Sequence, residues 1–500
     1  MRALISVYDK TDLLDFLKFM GKSITEIYAT DGTLRYLKEN HVDAKPSSDL
    51  TGFGDLLNGR VKTLHPSIFA GLLSKRDTES EDQLKKYNYP DFDILISNLY
   101  PFELAAKSNN LEKMIENIDI GGVSLIRAAA KNYKNVITLS DPEDYQYVIN
   151  EIETSKEISA KSREYLGLRA FSRAAMYDIM IYNKLYTKLN NEEPDDIFLH
   201  GYDKIKLRYG ENPEQAGYMY KTTNNVGIPN SIQLNGKELS YNNILDASAA
   251  LETVQDFDDI TSVIVKHRTP SGVASAETLK DAFIKSYNAD PESAYGFVIA
   301  VNRELDMETA REMQHKFIEV LIAPDYAPDA LSLLKKKKNL RILRSSLAKD
   351  KDYSITSVSG GMLLQSKLDP SLSSVDKKTE LPDDQKIMDD LQFAWKVVAH
   401  TKSNAMVLAR DRTTTGIGAG QTSRIEALKI AIDRAGTNAR GSVLASDAFL
   451  PFDDSVIECN KYGIKAIIEP GGSIRDEDVI KRANEYGIPL YFTDKRVFLH

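Results

Sequence analysis

A chain of 500 residues with 64 Lys and Arg against 73 Asp and Glu carries a net charge of -9, which argues against a general nucleic-acid or acidic-membrane binder. Any anionic ligand must be held by a local site. One cysteine, Cys459, excludes an intrachain disulfide and a thiolate metal cluster and fits a reducing compartment. The length suggests about three domains. The stretch 1–10 is too short an apolar run for a signal peptide and no run reaches membrane-spanning length, so the expectation is a soluble, cytoplasmic protein with no membrane or nucleic-acid partner.

Residues 2–7 have the pattern of a strand, and 12–20 that of a helix with apolar Leu13, Leu14, Phe16, Leu17 and Met20. A second strand over 24–29 leads through Thr30, Asp31, Gly32 and Thr33 into a helix over 34–39. This alternation predicts a parallel α/β sheet. Both strands end in hydroxyl-rich turns, 6–11 and 30–33, which offer N–H groups and hydroxyls to a phosphate at helix amino ends; the commoner use of such residues is an ordinary helix cap. In Gly-Arg-Val-Lys-Thr-Leu-His-Pro at 59–66, an extended chain points Arg60 and Lys62 to one side, which suits a dianion, while a solvated edge fits equally. A strand over 93–98 delivers Asn98 and Tyr100. Asp119, Gly121 and Gly122 then lead into a helix over 124–131, with a glycine-rich start suited to close backbone approach. Leu166, Ala170, Ala174, Tyr177 and Ile181 lie three or four apart on a long core helix. The polar run 189–196 is the expected linker.

Beyond the linker, Val263-Ile264-Val265 bounded by Thr269-Pro270-Ser271-Gly272 has the composition of a buried strand running into a turn. Lys266 and His267 thus fall at a strand's carboxyl end, where open α/β sheets keep ligand crevices. Adjacent cations disfavour each other's charged form, which leaves a neutral imidazole as a proton acceptor; taken alone, the segment is more often a strand end with solvated basic side chains. The basic run 335–338 completes a helix carboxyl end, and the polar segment 369–390 is an expected crossing between two subdomains. A helix containing Trp395 precedes Lys402-Ser403-Asn404. Gly416, Gly418 and Gly420 lack the spacing of a dinucleotide fingerprint but permit close backbone approach to a ligand beside a helix opened by Ser423 and Arg424. Ser473 and Asp476 have capping-box spacing, and the aromatic and basic residues 496–500 suggest a docked terminus.

Gly-Arg-Val-Lys-Thr-Leu-His-Pro at 59–66, Asn-Leu-Tyr-Pro-Phe at 98–102, Asp-Ile-Gly-Gly at 119–122, Arg-Tyr-Gly-Glu-Asn-Pro at 208–213, Gly-Ile-Gly-Ala-Gly-Gln at 416–421 and Pro-Gly-Gly-Ser-Ile-Arg-Asp at 470–476 together resemble, in order and along essentially the whole chain, the bifunctional purine biosynthesis family. That family joins AICAR (5-aminoimidazole-4-carboxamide ribonucleotide) transformylase to inosine monophosphate (IMP) cyclohydrolase. The resemblance implies an α/β protein: a methylglyoxal-synthase-like parallel-sheet domain over 1–190, then a transformylase unit of two cytidine-deaminase-like subdomains over 200–370 and 380–500. It implies a homodimer acting on AICAR and its formylated product FAICAR, with 10-formyltetrahydrofolate as co-substrate and no metal needed for the chemistry.

Carried over by position, Lys266 and His267 resemble the formyl-transfer pair and Asn404 the residue holding the reacting substrate. Arg208, Tyr209 and Arg496 resemble nucleotide-binding residues, and Arg424, Phe449 and Pro451 match regions facing the folate. Lys62, Tyr100, Asp119 and Lys131 resemble the cyclohydrolase site. Ser6, Lys10, Thr11, Thr30, Gly32, Thr33, Arg60 and Thr63 would hold the phosphate there, with Asn98, Gly121 and Gly122 completing the substrate pocket. The chain departs from the pattern at Tyr8, Asp31, Tyr295, Phe297 and 269–272. Those departures leave two alternatives: a cyclohydrolase whose larger unit is inactive or uses another donor, and a nucleotide-binding protein without catalysis.

Overall fold

Short β-branched strands separated by amphipathic helices pair in parallel, because each crossover returns the chain to the same edge of the sheet. In the computed structural model the strands β1 (Arg2–Ser6), β2 (Glu26–Ala29), β3 (Lys45–Pro46), β4 (Ile94–Ser97) and β5 (Ile137–Leu139) do so in the order β3-β2-β1-β4-β5. Residues 1–500 are described apart from 55, 56, 58, 59, 109, 193, 223, 224, 351, 352 and 383. Gly59 of the basic segment, Glu193 of the linker and Asp383 of the expected crossing therefore lie outside the described residues. Two compact units result, Met1–His200 and Gly201–His500.

In the first unit, helix Leu13–Met20 turns Leu13, Phe16, Leu17 and Met20 onto the sheet, as its spacing predicts. Helix Asp31–Glu39 starts three residues before the expected position, and helix Gly121–Lys131 likewise takes in the glycines that were expected to precede it. Glycine in a first turn loses little, since the first four N–H groups have no intrahelical partner in any case. The long helix Ala160–Asn190 buries Leu166, Ala170, Ala174 and Tyr177, with Ile181 packed beside Phe102 and Met114. Residues 60–63 form turns, not the extended segment expected, so alternation does not set the directions of Arg60 and Lys62.

The second unit begins with β6 (Tyr202–Lys206) and β7 (Tyr218–Lys221), which pair with each other. Its main sheet contains β8 (Ile232–Asn235), β9 (Thr261–Lys266), β10 (Thr269–Ser275), β11 (Phe297–Val301), β12 (Ile318–Ala323) and β13 (Arg341–Arg344). After a separate hairpin of β14 (Tyr353–Val358) and β15 (Gly361–Ser366), β16 (Asp376–Lys377), β17 (Met406–Arg410), β18 (Thr413–Gly418), β19 (Val443–Ser446), β20 (Ile467–Glu469) and β21 (Leu490–Phe492) join the same sheet. The order is β16-β21-β20-β19-β17-β18-β10-β9-β11-β12-β13-β8, twelve strands of mixed direction. Trp395 on helix Gln385–Val398 is fully buried against it, with its indole N–H donated to the Pro370 carbonyl at 3.0 Å.

One expectation is corrected here. Residues 269–272 are not a turn but the start of β10, and the reversal lies one step earlier, at His267 and Arg268. Both have positive φ, 52° and 64°, the pair of left-handed residues that a two-residue hairpin requires. A bulge between Pro270 and Gly272 accommodates the proline that lacks an N–H for the ladder.

The sheet contains a repeat. Helix Tyr241–Val254, hairpin β9–β10, helix Leu279–Ala289 and β11 recur as helix Gln385–Val398, hairpin β17–β18, helix Arg424–Ala435 and β19, and the two sets meet where β10 pairs with β18. Asp246 accepts the Arg268 amide at 2.7 Å; Asp390 accepts the Arg412 amide at 2.7 Å, and the second hairpin turns on Asp411 and Arg412, both at φ 52°. A Cβ on Gly272 would lie 2.0 Å from the Ser286 carbonyl oxygen and one on Gly416 2.0 Å from that of Ala431. Gly416 and Gly418 thus allow close helix-on-strand contact, a use that the spacing of the glycines alone does not reveal.

Candidate functional site

In the larger unit, β9 runs buried as far as Val265, then presents Lys266 half-buried and His267 and Arg268 exposed. The Lys266 ammonium donates to the carbonyls of Tyr295 at 3.0 Å and Ser293 at 3.3 Å. An ammonium has three donors, so one remains for a ligand. Beside the turn opens a cavity of about 350 Å³, whose walls include Lys266, His267, Ser271, Ile417, Gln421 and Arg434. His267 is therefore accessible from a hollow large enough for a small molecule.

Strand directions decide what else reaches this edge. β9 runs antiparallel to β10, β10 to β18 and β18 to β17, so the carboxyl ends of β9 and β18 and the amino end of β17 lie together. That places Asn404 and Gln421 on the His267 side. The Asn404 amide is fixed at both ends: its oxygen accepts from Arg424 at 2.7 Å and its nitrogen donates to the Gln421 carbonyl at 2.8 Å. Burial first, and then the charge of Arg268, push the Lys402 ammonium below its ordinary pKa, which places Arg268 and Lys402 in one cationic patch. The last residues close over it: Ser403 and Leu499 exchange bonds, and the Arg496 guanidinium lies 4.6 Å from the Phe498 ring. The expected docked terminus is present.

Arg208 and Tyr209 stand on a loop tied to the same region. The Glu211 carbonyl accepts from Asn242, one helical turn before Asp246, which holds the His267–Arg268 hairpin. Burial raises the Asp246 pKa, opposed by the Arg268 amide and by His267. Phe449 is partly exposed and Pro451 half-buried, while Leu450 between them is buried, its N–H bound to Glu469. Arg424, expected to face the folate, is largely buried. Its guanidinium is bound to Asp447, Ser446 and Asn404. Sequence reasoning passed over Asp246, Gln421 and Asp447. Gln421 lay inside the 416–421 motif, but nothing in that motif shows what it binds.

In the smaller unit the carboxyl ends of β1, β2 and β4 converge. The Thr30 hydroxyl donates to that of Ser6 at 3.2 Å, and the Asn98 oxygen accepts the Tyr8 and Asp9 amides at 2.7 and 2.9 Å. Asn98 thereby shapes the loop carrying Lys10, whose ammonium donates to the Tyr8 carbonyl at 3.1 Å. The Thr11 hydroxyl donates to Asp9 at 2.7 Å. Thr33 is buried, exchanging bonds with the Val7 backbone, so its hydroxyl serves the fold. Gly32 sits in the first turn of helix Asp31–Glu39 with open space beside it.

Lys62 is 3.2 Å from Asp31, and Arg60 pairs with Glu116. The Thr63 oxygen lies where a Cβ on Gly121 would be 2.7 Å away, and a Cβ on Gly122 would be 2.5 Å from Asp119. A side chain at either glycine would displace Thr63 or Asp119 from its present place. Asp119 accepts the Gly122 amide at 2.7 Å; burial raises its pKa, opposed by the amides of Gly122 and Tyr100. Tyr100 is half exposed, with the Tyr8 ring 4.8 Å away. Lys131 is not brought to this group: it ends the 11-residue helix that Gly121 opens, about 15 Å along the axis.

Each of the two α/β units thus gathers cations and polar side chains at its strand ends, on an acidic chain. The family described as MGS-like domain matches residues 12–124, and that described as AICARFT/IMPCHase bienzyme matches residues 129–434. Proteins named bifunctional purine biosynthesis protein PurH align over 100% of this chain and 99% of their own length: 48% identical in Thermoanaerobacter sp. strain X514, 47% in Caldicellulosiruptor saccharolyticus and 44% in Bacillus subtilis strain 168. The chain belongs to the AICARFT/IMPCHase bienzyme family, that of the bifunctional purine biosynthesis protein PurH.

Proposed function

We propose that the chain performs two consecutive steps at the end of purine nucleotide synthesis: formyl transfer from 10-formyltetrahydrofolate to AICAR in the larger unit, and closure of FAICAR to IMP with loss of water in the smaller. The observation that carries this is the exposed His267 beside a cavity, on the same sheet edge as Asn404 and a cationic patch.

In formyl transfer the AICAR amine, its lone pair drawn into ring and carboxamide, attacks the formyl carbon while His267 accepts its proton. The oxyanion that forms is within the chemistry of the remaining Lys266 N–H. The bond to the folate nitrogen then breaks, and that nitrogen takes up a proton. Asn404 holds the substrate, Arg208, Tyr209 and Arg496 its phosphate, and Phe449 and Pro451 face the folate; Arg424 acts there through Asn404. In ring closure the carboxamide nitrogen attacks the formyl carbon and water departs. Tyr100 and Lys62 steady the oxyanion and Asp119 orients the amide. Ser6, Lys10, Thr11, Thr30, Gly32, Arg60 and Thr63 hold the phosphate, with Thr33, Asn98, Gly121 and Gly122 shaping the pocket, and Lys131 stands apart from it.

We also infer a homodimer, cytoplasmic residence and a division of the larger unit at 200–370 and 380–500. The internal repeat supports the division, the single cysteine supports the compartment, and the hairpin β14–β15, which exposes Tyr353, Ile355, Met362 and Leu363, supports association. Purified protein given AICAR and 10-formyltetrahydrofolate should form IMP, and given FAICAR alone should form IMP without folate. IMP from FAICAR only would leave the larger unit without this activity, and IMP from neither would overturn the proposal.

A further inference from the structure

Asp447 follows β19 directly and is fully buried. Its carboxylate accepts from the Ser403 hydroxyl at 2.6 Å and the Ala405 amide at 3.1 Å, and pairs with Arg424. Arg424, 9% exposed in its side chain, carries its other nitrogen to the Asn404 oxygen at 2.7 Å, while the Asn404 nitrogen is held by Gln421, which lines the His267 cavity. A flip of the Asn404 amide would set donor against donor at Arg424 and acceptor against acceptor at Gln421, so this chain of bonds leaves one orientation.

The repeat shows what the fold alone requires at this place. In the first half the residue directly after β11 is Asn302, whose side-chain oxygen accepts the Thr261 amide at 2.8 Å, as Asp447 accepts that of Ala405. Its nitrogen satisfies the Phe257 and Asp259 carbonyls at 2.8 and 2.7 Å. A neutral side chain therefore performs the backbone task where, among the described residues, no arginine is bonded to that side chain. The charge at 447 answers to Arg424, and Arg424 to Asn404. The tail that brings in Arg496 depends on the Asp447 carbonyl, which accepts from the Val497 amide at 3.0 Å, and this survives a change of side chain.

We infer that Asp447 is a positioning residue for formyl transfer, fixing the orientation of the Asn404 amide through Arg424. The inference rests on the proposed place of Asn404 in the formyl-transfer site. The test is a double-mutant cycle of Asp447→Asn and Asn404→Ala in the full chain, with formyl transfer and ring closure of supplied FAICAR measured on each protein. Asp447→Asn should lower kcat of formyl transfer on the order of 100-fold, the scale of a misplaced group, with KM for AICAR moved far less and ring closure unchanged. In the Asn404→Ala background the same substitution should have little further effect, which a merely structural role would not produce.

Additive losses, or full formyl transfer in Asp447→Asn, would overturn the inference while Asn404→Ala remained impaired. Full activity in Asn404→Ala would instead remove the assignment beneath it. Should Asp447→Asn lose its native melting transition, Arg424→Gln replaces it in the cycle; non-additivity with Asn404→Ala is again expected, and additivity again overturns the inference.

Discussion

Gly418→Ala separates two uses of the glycine-rich segment. A Cβ at 418 would lie 1.9 Å from the Ala427 carbonyl oxygen and 2.7 Å from its carbon, both backbone atoms of helix Arg424–Ala435. A tolerable contact needs about 3 Å, so helix and strand must part by about 1 Å, a gap that forfeits roughly a quarter to a half of each facing dispersion contact. The face so lifted carries Ala427, Leu428, Ala431, Ile432 and Ala435. Overpacking of this kind destabilises by about 3 kcal/mol, or roughly 6 °C in the melting of a unit this size. Because Arg424 opens the displaced helix, formyl transfer should fall while closure of FAICAR persists. Thermal melting followed by circular dichroism, with both activities assayed below the transition, checks this. A variant that melts like the parent but raises KM for AICAR or the folate would show that Gly418 faces a ligand, and the packing argument would be wrong.

His267→Ala should abolish formyl transfer and leave ring closure intact, as read by IMP formation from AICAR and from FAICAR; equal loss of both in a folded protein would refute the division into two sites. Asp31→Asn removes the carboxylate 3.2 Å from Lys62; an exposed pair of this kind is worth at most about 1 kcal/mol, so KM for FAICAR should fall by up to about fivefold, and an unchanged or raised KM would count against Lys62 as a phosphate or oxyanion partner. Burial raises the Glu469 pKa from 4.5 to about 7. The folded state therefore holds a proton that the unfolded chain has released, and stability from this group falls as pH rises from about 4.5 to 7, then levels. Glu469→Gln should flatten that fall and stabilise the protein above pH 7 by up to about 3 kcal/mol, measured by urea unfolding at pH 5 and pH 8; equal gains at both would show that its ionisation is not at issue.

Periodicity exposed the strands ending at Ser6, Ala29 and Ser97 and the core face of the long helix, because β-branched runs and three-to-four spacing are one-dimensional signals of burial. It failed at 267–272 for a definite reason. Thr-Pro-Ser-Gly is turn chemistry, yet it enters a strand through a bulge, while the actual reversal uses His267 and Arg268, residues that seldom take positive φ. The basic alternation of Arg60 and Lys62 presumed an extended chain, and only the fold shows turns there, with Glu116 and Asp31 already opposite the two cations. Lys131 was assigned to the pocket only through the family resemblance, and the helix that Gly121 opens ends on it. Asp447 was legible only as an acid in an apolar stretch, since its partners lie 23 and 44 residues away in the chain.

The repeat offers a comparison for assigning the proposed chemistry to one hairpin and not its twin. Both are held by an aspartate, Asp246 or Asp390, and both turn on two left-handed residues. Both also send the preceding cation to carbonyls of the following loop, Lys266 to Ser293 and Tyr295, Arg410 to Arg440 at 2.8 Å. They differ in what the turn presents. At the second, Asp411 pairs with Lys386 at 2.7 Å, Arg412 with Asp259 at 3.0 Å, and the bound Lys386 holds the Asp411 carboxyl below its ordinary pKa. Those charges are spent within the protein, and a carboxylate kept ionised by a lysine is a weak proton acceptor. At the first, an imidazole stands beside a cavity, with Asn404 locked in orientation on the same edge. The same backbone device thus ends in closed ion pairs at the Asp411–Arg412 hairpin and in an exposed imidazole beside a cavity at the His267–Arg268 hairpin, and the proposed proton transfer from a bound amine uses the latter.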